Sequence, residues 1–137
     1  MGTDDPDGAN RALVERFFAA SERGDAAELA LLMDDDMVME WPQSGERFRG
    51  RDNVLGAMAA VEIKPEFAGE ARLVGAGSIW VLMVPLRYGE DVLHYAAVVE
   101  LDAGRVRRAT GFWGAPFPAQ PARAPFVDGE QRPEPSK

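Results

Sequence analysis

The sequence predicts an α+β domain in which three N-terminal helices precede a largely antiparallel sheet. Two patterns and the composition carry that expectation. Apolar residues recur at helical spacing in stretches before residue 62. After residue 66 the chain changes to strand-like runs broken by Gly- and Asp-containing turns. The 137 residues, 46% of them apolar, suit one packed core rather than a disordered chain.

Residues 1–8, with Gly, Asp and Pro, read as a disordered tail, followed by a domain over residues 9–114. Leu13, Val14, Phe17, Phe18 and Ala20 share one helical stripe, and Gly24 stops that helix. Asp25 is placed to cap a second helix, with Glu28 three residues on as in a capping box. Leu29, Leu32 and Met33 form its apolar face, and Asp34-Asp35-Asp36 reads as the solvated turn that ends it. Met37 to Trp41 reads as a strand stopped by Pro42, and Gln43 to Arg49 as a loop. A third helix starts near Gly50 or Asp52, buries Val54, Leu55, Met58, Ala59 and Val61, and ends at Lys64-Pro65. Strands are expected over 67–75, 78–88, 92–101 and 105–113, with hairpin turns at 89–91 and 102–104. Prolines 116, 118, 121, 125, 133 and 135 forbid regular structure in a C-terminal extension, residues 115–137, although Phe117 and Phe126 point to some packing there.

The run Ile79-Trp80-Val81-Leu82-Met83-Val84 is apolar on both alternating faces, whereas a strand with one wet face should alternate. A second copy of the chain is therefore expected on the outer sheet face, as a homodimer. The 23 acidic and 15 basic residues give a net charge of −8, which repels phosphate backbones and argues against nucleic acid. No apolar run approaches the roughly 18 residues of a membrane span, and the N-terminus has no signal pattern, so a cytoplasmic protein is expected. The absence of cysteine excludes disulfides, thiolate nucleophiles and Cys-based metal sites. Gly75-Ala76-Gly77 precedes a strand and reads as a turn, not as a phosphate loop. No cofactor is expected.

The stretches RFFAASERGD, LALLMDDDMVMEWPQSGERFRGRDNV and VVELDAGRVRRATGFWG, in that order, resemble the SnoaL-like branch of the NTF2-like superfamily. The resemblance covers roughly residues 10–114. It implies a cone, with three helices packed on a curved antiparallel or mixed sheet around an apolar pocket at the wide end. It leaves activity open, because the superfamily includes ketosteroid isomerases, polyketide cyclases, epoxide hydrolases, dehydratases and non-enzymatic binding modules. For the isomerases it implies a carboxylate base just before the proline ending the first strand, a tyrosine donor on the first helix, and a protonated acid on a late strand. Trp41, Phe17 and Ala97 stand at those places here, so that mechanism lacks its groups.

The candidate catalytic residues are Glu40, His94 and Tyr95. Glu40 is either a base in an apolar pocket or, as an alternating neighbour of Met39 and Trp41, an outward-facing ion-pair partner. His94, the lone histidine, is either a general base or a polar edge residue. If Tyr95, Ala97 and Val99 face the pocket, His94 and Glu100 face away; a one-residue slip exchanges the sets. Phe17, Met39, Trp41, Met58, Trp80 and Trp113 are the candidate ligand-binding residues, able to stack on a flat apolar molecule or simply to fill the core. Met37 and Met83 fit either reading. Glu46, Arg47, Arg49, Arg51 and Asp52 form a charged segment that reads as an anion-orienting rim or as local ion pairs. Three consecutive acids lack the spaced ligands of a calcium loop. Two functions follow: a cofactor-free isomerase, cyclase, dehydratase or hydrolase acting on a small apolar metabolite, or a non-catalytic module for hydrophobic-ligand binding or dimerisation.

Overall fold

The computed structural model describes residues 6–129. Among these are three α-helices: α1 (Pro6–Arg23), α2 (Ala26–Leu32) and α3 (Arg51–Ala59). Seven strands accompany them: β1 (Met33–Trp41), β2 (Glu46–Arg49), β3 (Glu66–Phe67), β4 (Arg72–Ala76), β5 (Ile79–Tyr88), β6 (Asp91–Asp102) and β7 (Arg105–Gly114). A 3-10 turn spans Pro121–Phe126. The sheet order is β2-β1-β7-β6-β5-β3, with β4 also pairing β5. β1 runs parallel to β7, placing Met39 opposite Ala109, while the other pairs are antiparallel. This is the helix-on-mixed-sheet architecture expected from the sequence. No helix among the described residues is long and apolar enough to cross a membrane.

Alternation along β5 builds the core. Trp80, Leu82, Val84 and Leu86 are buried on the inner face, where Val14, Phe17 and Phe18 of α1 and Leu29 and Leu32 of α2 join them in one apolar cluster. Each such side chain contributes about 1.5–3 kcal/mol on burial. The intervening residues Val81, Met83 and Pro85 lie half-buried on the outer face.

Local signals misplace several boundaries, each for a tertiary reason. Of the tail expected over residues 1–8, residues 1–5 lie outside the described residues, and α1 already begins at Pro6. Proline at the first helical position forfeits no helix bond. The Asp7 carboxylate accepts from the Gly77 N–H (2.7 Å), and the Asn10 amide donates to the Gly77 carbonyl (2.7 Å), tying this first turn to the β4–β5 turn. Asp25 caps α2 by accepting from the Glu28 N–H (3.1 Å). The Glu28 carboxylate pairs with Arg16 of α1 (2.9 Å) instead of reaching back to Asp25, so an interhelical contact replaces half of the capping box.

Asp34-Asp35-Asp36 is strand rather than turn. Met33 and Met37 are both fully buried and hold the three acids extended between them, with a register break before Val38. Asp35 pairs with Arg51. Residues 46–49 form β2, not a loop, because the Gly45 N–H bonds the Trp41 carbonyl (2.9 Å) and turns the chain back along β1. The single strand expected over 67–75 is divided into β3 and β4. A strand residue's N–H and C=O point to the same edge, and the Pro85 carbonyl accepts from Ala68 (2.8 Å). That edge of β5 therefore lacks a donor at Pro85, where the pairing breaks. The described part of the C-terminal extension includes a 3-10 turn despite its prolines. Phe117 and Phe126, expected to pack, are 75% and 84% exposed among the described residues.

Gly75 permits β4 to pass over Trp80: a Cβ there would lie 2.7 Å from both the Trp80 Cα and its ring. Gly75→Ala is expected to lower unfolding stability by about 1–3 kcal/mol through overpacking. An unchanged midpoint in chemical denaturation contradicts this.

Candidate functional site

The inner sheet face and the helices leave a cavity of about 520 Å3, a size suited to a small organic molecule. α1 and α2 contribute Phe18 and Leu29, and α3 contributes Leu55 and Met58. The sheet contributes Met39 and Trp41 of β1, Leu82, Leu86 and Tyr88 of β5, Tyr95 of β6 and Trp113 of β7. Glu22, Arg23 and Lys64 line its solvent-exposed rim.

One wall is aromatic because three adjacent strands present inward-facing rings. Trp41 meets Trp113 edge-on, centroids 5.4 Å apart, and Phe48 lies 4.7 Å behind Trp41. Tyr95 and Trp113 stand directly opposite in the β6–β7 register, with ring centroids 5.0 Å apart. Gly111 makes this packing possible, since a Cβ would lie 3.2 Å from the Trp113 ring and 3.4 Å from Tyr95. Gln43, just beyond β1, pins the end of β7: its side-chain carbonyl accepts from the Trp113 N–H and its amide donates to the Trp113 carbonyl.

Polarity within this wall resides in two phenols. The Trp113 Nε1–H donates to the Tyr88 hydroxyl oxygen (2.8 Å). Desolvation raises the Tyr88 pKa above the ordinary 10.0, against the opposing effect of that hydrogen bond. Tyr95 is raised further, first by desolvation and then by the neighbouring Tyr88. Both phenols are therefore neutral near pH 7. The Tyr95 hydroxyl has no hydrogen-bond partner among the described residues. At the rim, the Glu22 carboxylate accepts from the Phe67 N–H (3.3 Å), and Arg23 pairs with Asp25 (3.2 Å). Among the described residues, no group of three or more His, Asp or Glu is placed to hold a metal ion.

Residues 14–109 match the SnoaL-like domain. The chain belongs to the SnoaL-like family. This SnoaL-like protein is similar in structure to an NTF2-like protein of unknown function from Burkholderia xenovorans LB400, with 28% identity and a TM-score of 0.80 over 90% of this chain and 97% of that one. It is also similar to a proposed ketosteroid isomerase from Kribbella flavida DSM 17836, with 26% identity and a TM-score of 0.84 over 92% and 93% of the two chains. A proposed polyketide cyclase from Xanthomonas campestris shares the fold at 16% identity and a TM-score of 0.70, over 80% of this chain and 93% of that one. No curated protein matches the sequence.

Within the SnoaL-like cone, the residues singled out from sequence divide between two sheet faces. Tyr95, Met39, Trp41, Met58 and Trp113 come together in the cavity. Phe17 and Trp80 are core residues outside it; the Trp80 indole N–H donates to the Gly77 carbonyl (2.9 Å). Met37 is likewise buried in the core, and Met83 lies on the outer face. Ala97 faces inward and Trp41 lines the wall, so neither isomerase position supplies a carboxyl group. Glu40 points to the outer face, where it binds Arg108 (2.9 Å) and Arg47 (3.1 Å); these bonds, that from Arg108 foremost, hold its carboxyl below the usual range. It is a committed ion-pair partner, not a pocket base. His94 also lies outside the cavity, exposed and opposite Pro85 and Gly114. Of the charged segment expected as a rim, Arg47 serves Glu40 and Arg51 serves Asp35, and none of it lines the cavity.

Sequence reasoning missed Tyr88, Glu22, Lys64 and Gln43. Tyr88 was recoverable, because it shares parity with Trp80, Leu82, Val84 and Leu86 on β5. Nothing local marks Gln43, whose partner is 70 residues away.

The raised phenol pKa values carry a sign for stability. In the unfolded chain these tyrosines ionise near their ordinary value, while the folded protein retains the protons. Their contribution is thus complete below about pH 10 and is lost as pH rises beyond it. Spectrophotometric titration is expected to show Tyr95 ionising after Tyr88, with unfolding stability falling over that alkaline range. Ionisation of both at the ordinary value sinks the assignment.

Proposed function

We propose that this SnoaL-like protein binds a small, largely apolar molecule carrying an oxygen acceptor such as a carbonyl. One observation supports this above others: two neutral phenols with uncommitted protons in a cavity walled by Trp, Met and Leu. Tyr88 accepts from Trp113, which leaves its own proton to donate. Tyr95 is half-buried and makes no hydrogen bond among the described residues, so its proton is free for a ligand oxygen. A flat apolar body would stack against Trp41 and Trp113 at the same time.

The same geometry supports a second reading, cofactor-free isomerisation, cyclisation, dehydration or hydrolysis. Phenols aimed at a carbonyl oxygen stabilise negative charge developing there. A base is the weak point of this reading. Glu22 is the carboxylate in the cavity lining, yet it is exposed at the rim and engaged by Phe67. Binding is therefore the reading the site favours. In the wider setting, a cysteine-free acidic chain fits the cytoplasm.

We also propose a homodimer through the outer sheet face. Ile79 and Phe112 are 52% and 41% exposed there, beside half-buried Val81, Met83, Ala96 and Val98. A monomer by light scattering at micromolar concentration overturns this.

Trp41 and Trp113 give the binding experiment its signal. Tryptophan fluorescence is titrated with 2-acetylnaphthalene and with 2-ethylnaphthalene, which differ in the carbonyl. The ketone is expected to bind more tightly, and Tyr95→Phe to weaken the ketone about three- to tenfold while sparing the hydrocarbon. Equal affinities for both probes in both proteins refute the phenol-donor role. If turnover of a carbonyl substrate is found, loss of kcat in Glu22→Gln promotes the second reading over the first.

A further inference from the structure

Building on the dimer just proposed, we infer that residues 115–129 form an exchanged arm, with Phe117 and Phe126 seated on the outer sheet face of a second copy. Every residue from Gly114 to Gly129 is exposed. The arm nevertheless has an ordered turn of its own, in which Arg123 and Val127 N–H groups bond the Gln120 (3.0 Å) and Ala124 (3.3 Å) carbonyls. Scattered exposed apolar residues are ordinary on a surface, but two phenyl groups on one short proline-rich arm are not scattered.

A receptor lies beside the arm's root. Met83 and Pro85 of β5, His94 and Ala96 of β6, and Phe112 of β7 line an outer-face groove of about 610 Å3, bounded by Gly114, where the arm departs. No described residue beyond Gly114 lines that groove, and the aromatic groups of the arm lie in solvent. Phe117 is three residues from Gly114, within about 10 Å of the groove's edge, and Phe126 reaches roughly 30 Å, enough to cross a sheet face.

Composition identifies the occupant. The other terminal segments, Met-Gly-Thr-Asp-Asp at residues 1–5 and Glu-Gln-Arg-Pro-Glu-Pro-Ser-Lys at 130–137, contain no aromatic residue and are dominated by polar groups. The arm is the apolar strap this chain possesses, and a two-fold pair lets each copy donate one and receive one. Pro116, Pro118, Pro121 and Pro125 restrict the free arm, which reduces the ordering cost of docking.

The absence of cysteine makes a direct test available. Full-length Phe117→Cys and full-length Met83→Cys are mixed and oxidised, and the dimer dissociation constants of wild type and Phe117→Ser/Phe126→Ser are measured by light scattering on dilution. Expected results are a disulfide-linked pair of unlike chains and about a tenfold or greater rise in the dissociation constant. A dimer of unchanged affinity with no mixed cross-link overturns the arm while leaving the sheet-face dimer intact. A monomeric wild type removes both. A disulfide that forms only within one chain, in Phe117→Cys/Met83→Cys, shows the arm folding back on its own groove and also overturns the exchange.

Discussion

Hydrogen-bonded register across β5, β6 and β7 is the constraint on which the site depends. Val84, Tyr95 and Trp113 stand in one row, each opposite the next. Because side chains alternate from face to face, that row decides what enters the cavity and what is excluded. A slip of one residue in β6 would bring His94 inside and put Tyr95 out. The parallel pairing of β1 with β7 sets Met39 opposite Ala109, so Met39 and Trp41 join the same inner face, and Gln43 fastens the backbone of Trp113 where the ladder ends.

The two sheet faces hold opposite kinds of chemistry for reasons of solvation. Glu40, Arg47 and Arg108 form their ion pairs on the outer face, where water reaches the charged groups and the cost of desolvation is small. The inner face has few ionisable groups, and those it has are phenols that stay neutral because burial disfavours their charged form. A carboxylate placed among these aromatic rings would be driven toward protonation by the same effect. The cavity is thus suited to donating hydrogen bonds and poorly equipped to remove protons.

The SnoaL-like cone accommodates several reactions because its scaffold specifies a cavity and leaves the polar groups inside it to vary. In this chain, Trp41 and Ala97 stand where the resemblance implies isomerase carboxyl groups, and the cavity wall has the phenols Tyr88 and Tyr95 as its polar groups. Similarity to solved cones therefore supports the container, and the tyrosine pair supports its content.

The sequence was sufficient for everything governed by local periodicity. Stripes of apolar residues specified that α1 to α3 exist, although α3 stops at Ala59, short of the expected Lys64-Pro65 end, and leaves Ala59 and Val61 exposed. Strand-like runs and turns specified the β5–β6–β7 meander, and the order of elements pointed to the cone. It also placed Trp41, Trp113, Met39 and Tyr95 among the cavity candidates, because large apolar side chains at one parity share a face. It could not decide parity itself. Whether Glu40 or Trp41 faces inward depends on pairing partners about 70 residues distant, and no local signal encodes such a contact. For the same reason Phe17 and Trp80 passed for pocket residues, and Gln43 and Tyr88 passed unnoticed. The order of elements and the resemblance it carries pointed to an apolar cavity; only the long-range hydrogen-bond register decided that Tyr88 and Tyr95 would line it.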